Sequence, residues 1–257
     1  MIPVCREIRK DILKISKSSG HGHIPTCFSI VEILYALYNT IKHDPKNPAW
    51  EERDIFVLSK GHAALAHYCI LAHFGYFDIE KVFSFGSFMS DFGCHADRLK
   101  VPGIEASTGS LGHGIGLAVG MALGFRIQKS KRRVYTLIGD GESNEGTVWE
   151  AVLVAENLKL SNLTIIYDDN KSHSRGLQIH NPAAHFRGFG CDVAEVEGHD
   201  INMLKAEIKK KTKTVRVIVA HTKKGYNCKT LIERHYEWHR KSPNDQEYDM
   251  LMEELCA

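Results

Sequence analysis

The chain has 257 residues, 43% of them hydrophobic, enough for one large α/β domain or two small ones with a real core. Its formal net charge of +2 makes no electrostatic case for nucleic acid. No apolar run is long enough to span a bilayer, the N-terminus MIPVCREIRKDI turns charged at once, and seven cysteines show no close pairing, so a cytoplasmic protein is expected.

Residues 4 to 18 read as a helix. Residues 19 to 29, SGHGHIPTCFS, read as a polar loop with two histidines. Helix resumes over 29 to 40, where Ile30, Ile33, Leu34 and Leu37 form an apolar stripe. Residues 43 to 53 are charged, hold two prolines and belong on the surface. IFVL at 55 to 58 is a short buried strand that ends in SKGH, with a helix from about Ala63. Residues 80 to 105 show little periodicity, and a long irregular stretch inside a compact domain often serves function. The glycine-rich turn after it opens into a helix of small residues.

Residues 134 to 170 carry the strongest signal. An apolar run, Val134 to Ile138, ends in Gly139-Asp140-Gly141; a helical pattern follows with Val148, Val152 and Ala155 on one face. A second run, Leu163 to Tyr167, ends at Asp168-Asp169-Asn170. Strand, helix, strand implies a parallel pair. Asp140 and Asn170 then lie just past the carboxyl ends of two strands, where open α/β sheets bind ligands. A carboxylate and an amide oxygen are hard ligands, suited to Mg²⁺ or Ca²⁺ already held by a phosphorylated cofactor. Gly141 has no side chain to keep its backbone from a diphosphate.

Residues 171 to 190 read as a second long loop. Strands at 192 to 196 and 215 to 220 flank an amphipathic helix from about 200 to 211, whose Lys209-Lys210-Lys211 end is solvated. Residues 224 to 246 are irregular and polar, and a short helix closes the chain. The alternation predicts one doubly wound α/β domain over 1 to 257, a mostly parallel sheet with helices on both faces.

Of fifteen histidines, four lie in loops after a strand or before a helix: His23, His62, His95 and His239. Each alone fits a structural role. Only His235 and His239 have a zinc-like spacing, and they lack a HExxH frame.

In chain order, Gly22-His23, Ser59 to His62, His95-Ala96-Asp97, VPGIEASTGSLGHGIGLAVGMAL, GDGESNEG, Asn170 thirty residues after Asp140, and EWHRKSPN resemble the N-terminal half of transketolase. The resemblance covers almost the whole chain. It implies a thiamine diphosphate-binding fold and transfer of a two-carbon ketol unit from a ketose to an aldose. It implies Asp140 and Asn170 as cation ligands, with the Ser172 backbone carbonyl as a third. Gly139, Gly141, Glu142, His62 and His239 are implied around the diphosphate, and Gly109 and Leu111 at the aminopyrimidine. His23, His62, His95 and His239 are implied around the reacting carbons, where a histidine's pKa suits proton transfer. Glu145 resembles the carboxylate that links two cofactor sites across a dimer interface.

Family members activate the cofactor with a glutamate on a second, pyrimidine-binding domain, and this sequence stops where that domain would begin. The expectation is a split transketolase: a homodimer completed by two copies of a separate C-terminal subunit, α2β2, acting on sugars. The sequence departs from the family pattern at Ser172-His173-Ser174-Arg175, at His23-Ile24-Pro25 and at Trp238-His239-Arg240. Arginine binds phosphate and carboxylate strongly, so Arg240 admits an anionic or modified sugar as well as a plain surface role. Two competing readings stand beside this one. The α subunit of a 2-oxoacid dehydrogenase shares the GDG-to-Asn motif, but SKGH, GCHAD and EWHRKSPN argue against it. A non-catalytic, cofactor-binding regulatory subunit is kept open by residues 172 to 175 and 240.

Overall fold

Five strands, β1 (Ile55–Leu58), β2 (Val134–Gly139), β3 (Leu163–Asp169), β4 (Asp192–Glu197) and β5 (Arg216–His221), are found in the computed structural model, which describes residues 2–256. They form one sheet in the order β1-β2-β3-β5-β4, and every neighbouring pair is parallel. The central strands are buried along their whole length, so they read as unbroken apolar runs rather than as alternation. Edge strand β4 differs: only Val196 is buried, and Asp192, Glu195 and Glu197 are exposed.

Alternate side chains feed two cores. Phe56, Leu58, Tyr135, Leu137 and Ile218 pack on one side with α1 (Pro3–Ser19), α2 (Ile24–Ser29), α3 (Val31–Tyr38), α4 (Ala64–His73), α9 (Ile201–Lys209) and α11 (Asp245–Cys256). Ile55, Val57, Val134, Ile138 and Val217 pack on the other with α6 (His113–Ile127), α7 (Gly146–Asn157) and α8 (Pro182–Gly188). The sheet is therefore doubly wound, as the alternation of elements predicts. Among the described residues no helix is long and apolar enough to cross a membrane.

Three helices fall where the sequence reads as loop. Ile24–Ser29 is helical and wholly buried, with Pro25 in its first turn, where a proline is tolerated. Ile30 (φ −107°, ψ 2°) separates it from α3. Helix α8 begins at Pro182 behind Asn181, whose side chain accepts from the Ala184 amide. A short helix, α10 (Lys229–Glu233), and a 3₁₀ turn at Glu237–His239 lie in the polar tail. The expected irregular stretch begins with a one-turn helix, α5 (Ile79–Val82), and then holds neither helix nor strand until His113.

Candidate functional site

In the register of β2 and β3, Gly139 stands opposite Asp168, so both strands end at one level. Asp140 follows β2 at once and its amide donates to the Asp168 carbonyl (3.2 Å). Its Oδ1 accepts from the Gly141 amide (2.7 Å) and the Ser172 hydroxyl (2.5 Å). Asn170 follows β3. Lys171 then takes a left-handed conformation (φ 57°) and turns the chain back, so that the Ser172 amide donates to Asn170 Oδ1 (3.0 Å). A Cβ on Gly141 would lie 2.7 Å from the ring of the exposed His173, which would have to move aside for any other residue.

Beneath these residues lies a carboxylate that sequence reasoning left without a role. Asp168 is fully buried; its Oδ2 accepts from Lys60 Nζ (2.6 Å), Asn170 Nδ2 (2.7 Å) and Ser29 Oγ (2.8 Å). Its Oδ1 accepts from the Thr222 hydroxyl. Lys224, also buried, sets Nζ 3.2 Å from His239 Nδ1. Burial, then the like charge of Lys60, pushes the Lys224 ammonium down to about 8, against the pull of Asp140 and Asp168.

Glu142 closes the floor. Its buried carboxylate accepts from the Ser59 hydroxyl (2.5 Å) and the amides of Gly112 (2.9 Å) and Gly139 (3.2 Å). It thus joins the SKGH turn, the glycine-rich loop and the end of β2. Burial raises its pKa despite these donors. A Cβ on Gly114 would stand 2.6 Å from Ser59 Cα, so helix α6 lies directly on that turn.

Three histidines from distant loops meet above this floor. Ring centroids are 5.3 Å apart for His23 and His62, 5.4 Å for His23 and His239, and 6.5 Å for His62 and His239. The His95 ring lies against Gly109. Burial, then the fields of His239 and Arg240, pushes the His23 imidazole down to about 4. Burial also pushes down His239, helped by Lys224 and Arg240, and holds His62 well below the usual histidine range, helped by Lys60. Neutral imidazoles at pH 7 both donate and accept, as proton transfer requires.

These groups line one cavity of about 570 Å³. His23, His62, His95 and His239 line it, as do Asp140, Asn170 and Ser172. So do Gly109, Leu111, Gly139, Gly141 and Glu142. Glu145 is the exception: it is exposed at the start of α7 beside Gly112, and does not line the cavity. Lys60, Lys224, His21 and His173 line it too; Lys60 lies within the SKGH motif and His173 in the segment that departs from the family pattern, but the motifs assign none of the four a site role. The lysine of SKGH is visible as a charge next to a buried run, which alone does not distinguish a floor residue from a surface one.

Among the described residues no three His, Cys, Asp or Glu side chains group to hold a metal. Asp140 and Asn170 with the adjoining backbone instead offer carboxylate, amide and carbonyl oxygens. That donor set is too small for a self-sufficient cage and fits a cation that brings phosphate oxygens of its own.

A parallel sheet with a hard-oxygen pair, a glycine turn and basic groups at its carboxyl end defines an α/β protein built to hold a cofactor's diphosphate. Residues 2–251 match the model of the transketolase thiamine diphosphate-binding domain. The chain is 38% identical over 255 residues to one of the subunits of the apulose-4-phosphate transketolase of Actinobacillus succinogenes, covering 96% of this chain and 92% of that one. It is 40% identical over 207 residues to the 6-deoxy-6-sulfo-D-fructose transketolase subunit SqwG of a Clostridium species, covering 78% and 75%. Transketolase from Campylobacter jejuni superposes with a TM-score of 0.89 at 28% identity, over all of this chain and 43% of that one. The chain therefore spans about two fifths of the solved transketolases it matches. It belongs to the transketolase family of enzymes, and carries that family's thiamine diphosphate-binding domain.

Proposed function

We propose that this chain is the diphosphate- and cation-holding subunit of a transketolase that moves a two-carbon ketol unit from an anionic ketose to an aldose. The observation that carries the reading is the convergence of Asp140 and Asn170 with His23, His62, His95 and His239 around one cavity. Asp140, Asn170 and the Ser172 carbonyl would hold Mg²⁺ or Ca²⁺, and His62, His239, Gly139 and Gly141 would face the diphosphate. Glu142 would act from beneath, bracing the loops that carry them. Gly109 and Leu111 would meet the aminopyrimidine through backbone. Bound thiamine diphosphate supplies the electron sink for breaking the bond beside a ketose carbonyl. The neutral histidines would hold and move protons at the sugar's hydroxyl and carbonyl oxygens.

Naming of the relatives as subunits supports a separate partner chain; a pyrimidine-binding domain on that chain, and two copies of each chain in the assembly, complete the proposal. Glu145, exposed outside the cavity, would then serve at the contact between two copies of this chain. Free cysteines throughout the described residues suit a cytoplasmic setting. Both of these relatives are named for sugars that carry a phosphate or sulfo group. Arg240 lines the cavity here, and its backbone is pinned by Gly22, where a Cβ would lie 2.2 Å from the Arg240 carbonyl oxygen. An anionic sugar tail is the ligand this guanidinium suits.

The test mixes this chain with its partner subunit, Mg²⁺ and thiamine diphosphate, and compares a sugar phosphate, a sulfosugar and a neutral ketose as donors. Transfer from the anionic donors, lost from either polypeptide alone, is expected. Cofactor binding without transfer in the complete mixture would favour a regulatory subunit instead.

A further inference from the structure

We infer that Asp168 is a positioning residue for the cation site: its carboxylate decides which end of the Asn170 amide faces the cation, and its backbone carbonyl holds Asp140 alongside. The inference rests on the cation site proposed above. An asparagine amide has two ends of nearly equal size and opposite character, one a donor of two protons and one an acceptor. A cation accepts only the oxygen end, so an asparagine ligand needs something behind it to fix the flip.

Asp168 supplies this. Both protons of Asn170 Nδ2 are engaged at the rear, one on Asp168 Oδ2 (2.7 Å) and one on Ser29 Oγ (3.2 Å). The Ser29 hydroxyl gives its own proton to Asp168 (2.8 Å) or to the Thr26 carbonyl (2.9 Å), and either choice leaves its oxygen as an acceptor toward Asn170. The reversed amide would set its oxygen against the Asp168 carboxylate and lose that bond, and the Ser29 hydroxyl would have to turn its proton away from Asp168 and Thr26 to meet it. Oδ1 is therefore turned the other way, to the Ser172 amide (3.0 Å), on the side of Asp140. Asp140 is tied to the same residue through its amide, which donates to the Asp168 carbonyl (3.2 Å). One residue thus touches both candidate ligands. Lys60 and Thr222 compensate the buried charge that does this.

The bland alternative is that Asp168 only neutralises Lys60 in the core. The two differ in what happens when the residues are exchanged. Mn²⁺ replaces Mg²⁺ as a spectroscopic probe, and its uptake by the full chain with thiamine diphosphate is followed by electron paramagnetic resonance, with a thermal melt for each protein. Asn170→Asp adds a negative charge at the ligand position, yet sets two carboxylates face to face, so weaker Mn²⁺ binding is expected. Asp168→Asn removes the orienting acceptor, and a loss of about 10- to 100-fold is expected, as for other partners of metal ligands. The exchange Asp168→Asn/Asn170→Asp restores a donor–acceptor pair and keeps the charge count. Its affinity should exceed that of both single variants, short of wild type because Lys60 and Ser29 also donate to the Asp168 oxygen that is replaced.

Equal or tighter Mn²⁺ binding by Asn170→Asp overturns the inference, as does an exchanged pair no better than the singles. If Asp168→Asn alone fails to fold, Asn170→Asp and the exchanged pair carry the comparison. A wild-type chain that takes up no Mn²⁺ with the cofactor removes the cation site itself, and the role of Asp168 with it. Equal uptake by all four proteins leaves the site and removes only that role.

Discussion

At the scale of single residues, the histidine cluster makes stability and activity depend on pH with a defined sign. His23 is held near 4 in the folded chain, below the ordinary histidine value of 6.5. Between these values the unfolded chain binds more protons than the folded one, so stability is full above 6.5 and falls as pH drops toward 4. His62 and His239 are displaced in the same direction and add to the effect. His23→Gln removes one titrating group. Calorimetric melting temperatures should fall less steeply between pH 6.5 and 4 in the variant than in wild type; parallel curves would place the acid sensitivity elsewhere. In the assembled enzyme, His23→Ala or His239→Ala should lower turnover by about 10² to 10⁴, the usual contribution of a proton-transfer group. Glu32 works in a lower window. Burial alone would raise its pKa, but bonds from His199 and Arg9 hold it near 2, so its share of stability is lost only as pH falls from 4.5 toward 2. His67, buried in the core and pushed down to about 3, shares the histidine window, so the comparison of His23→Gln with wild type, not the window itself, isolates the cavity's part.

At the scale of elements, the close contact of α6 with the SKGH turn sets how well the floor is held. Gly114→Ala would force a Cβ to 2.6 Å from Ser59 Cα, and backbone on both sides leaves nothing flexible to yield. Helix and turn must part, with a loss of about 1 to 3 kcal/mol expected for overpacking. Weaker thiamine diphosphate binding should accompany it, because Ser59 is bonded to Glu142 and to the Ile115 amide. Gly116→Ala, with open space around it in the single chain, should leave urea unfolding of the monomer unchanged or gain up to about 1 kcal/mol when both glycine variants are compared in a monomeric Gly120→Arg background. Equal losses at both positions would mean that helix dynamics, not the contact, is responsible.

The same scale shows what a reader of the sequence can see. Strand β2, helix α7 and strand β3 are legible because burial on two faces writes long apolar runs, and their ends place Asp140 and Asn170. Helices α2, α8 and α10 are not, because each is too short to show a period. The Asn181-Pro182 start of α8 is a readable capping signal that the surrounding polarity hides. The four histidines stand out by motif, whereas the pair Lys60 and Asp168, 108 residues apart, has no local signature. Only the parallel register of β1, β2 and β3 brings them together.

At the scale of the whole molecule, two neighbouring helices share an open apolar surface. Leu117 on α6 and Leu153 and Val154 on α7 are 47%, 57% and 48% exposed, and Gly116, Gly120 and Gly124 have nothing within 4 Å of an added Cβ. Helices α6 and α7 pack together on the core, so apolar and small residues lie open on neighbouring helices. Small residues let a second backbone approach closely, and exposed leucines gain by being covered. Glu145 begins α7 beside Gly112 at the foot of α6, so a carboxylate marks one end of this surface. The homodimer proposed above would bury it, and a stable contact of that kind needs about 1,200 to 2,000 Å² in total. Gly120→Arg puts a long charged chain into open space in the single chain, and so should fold normally while blocking a second copy. Sedimentation equilibrium at micromolar concentration is expected to give a dimer for wild type and a monomer for this variant, with similar melting by circular dichroism. The monomeric variant should also lose ketol transfer when mixed with the partner subunit, if two copies complete each other's sites. A variant that stays dimeric places the contact on another face, and a monomeric variant with full activity separates dimerisation from catalysis.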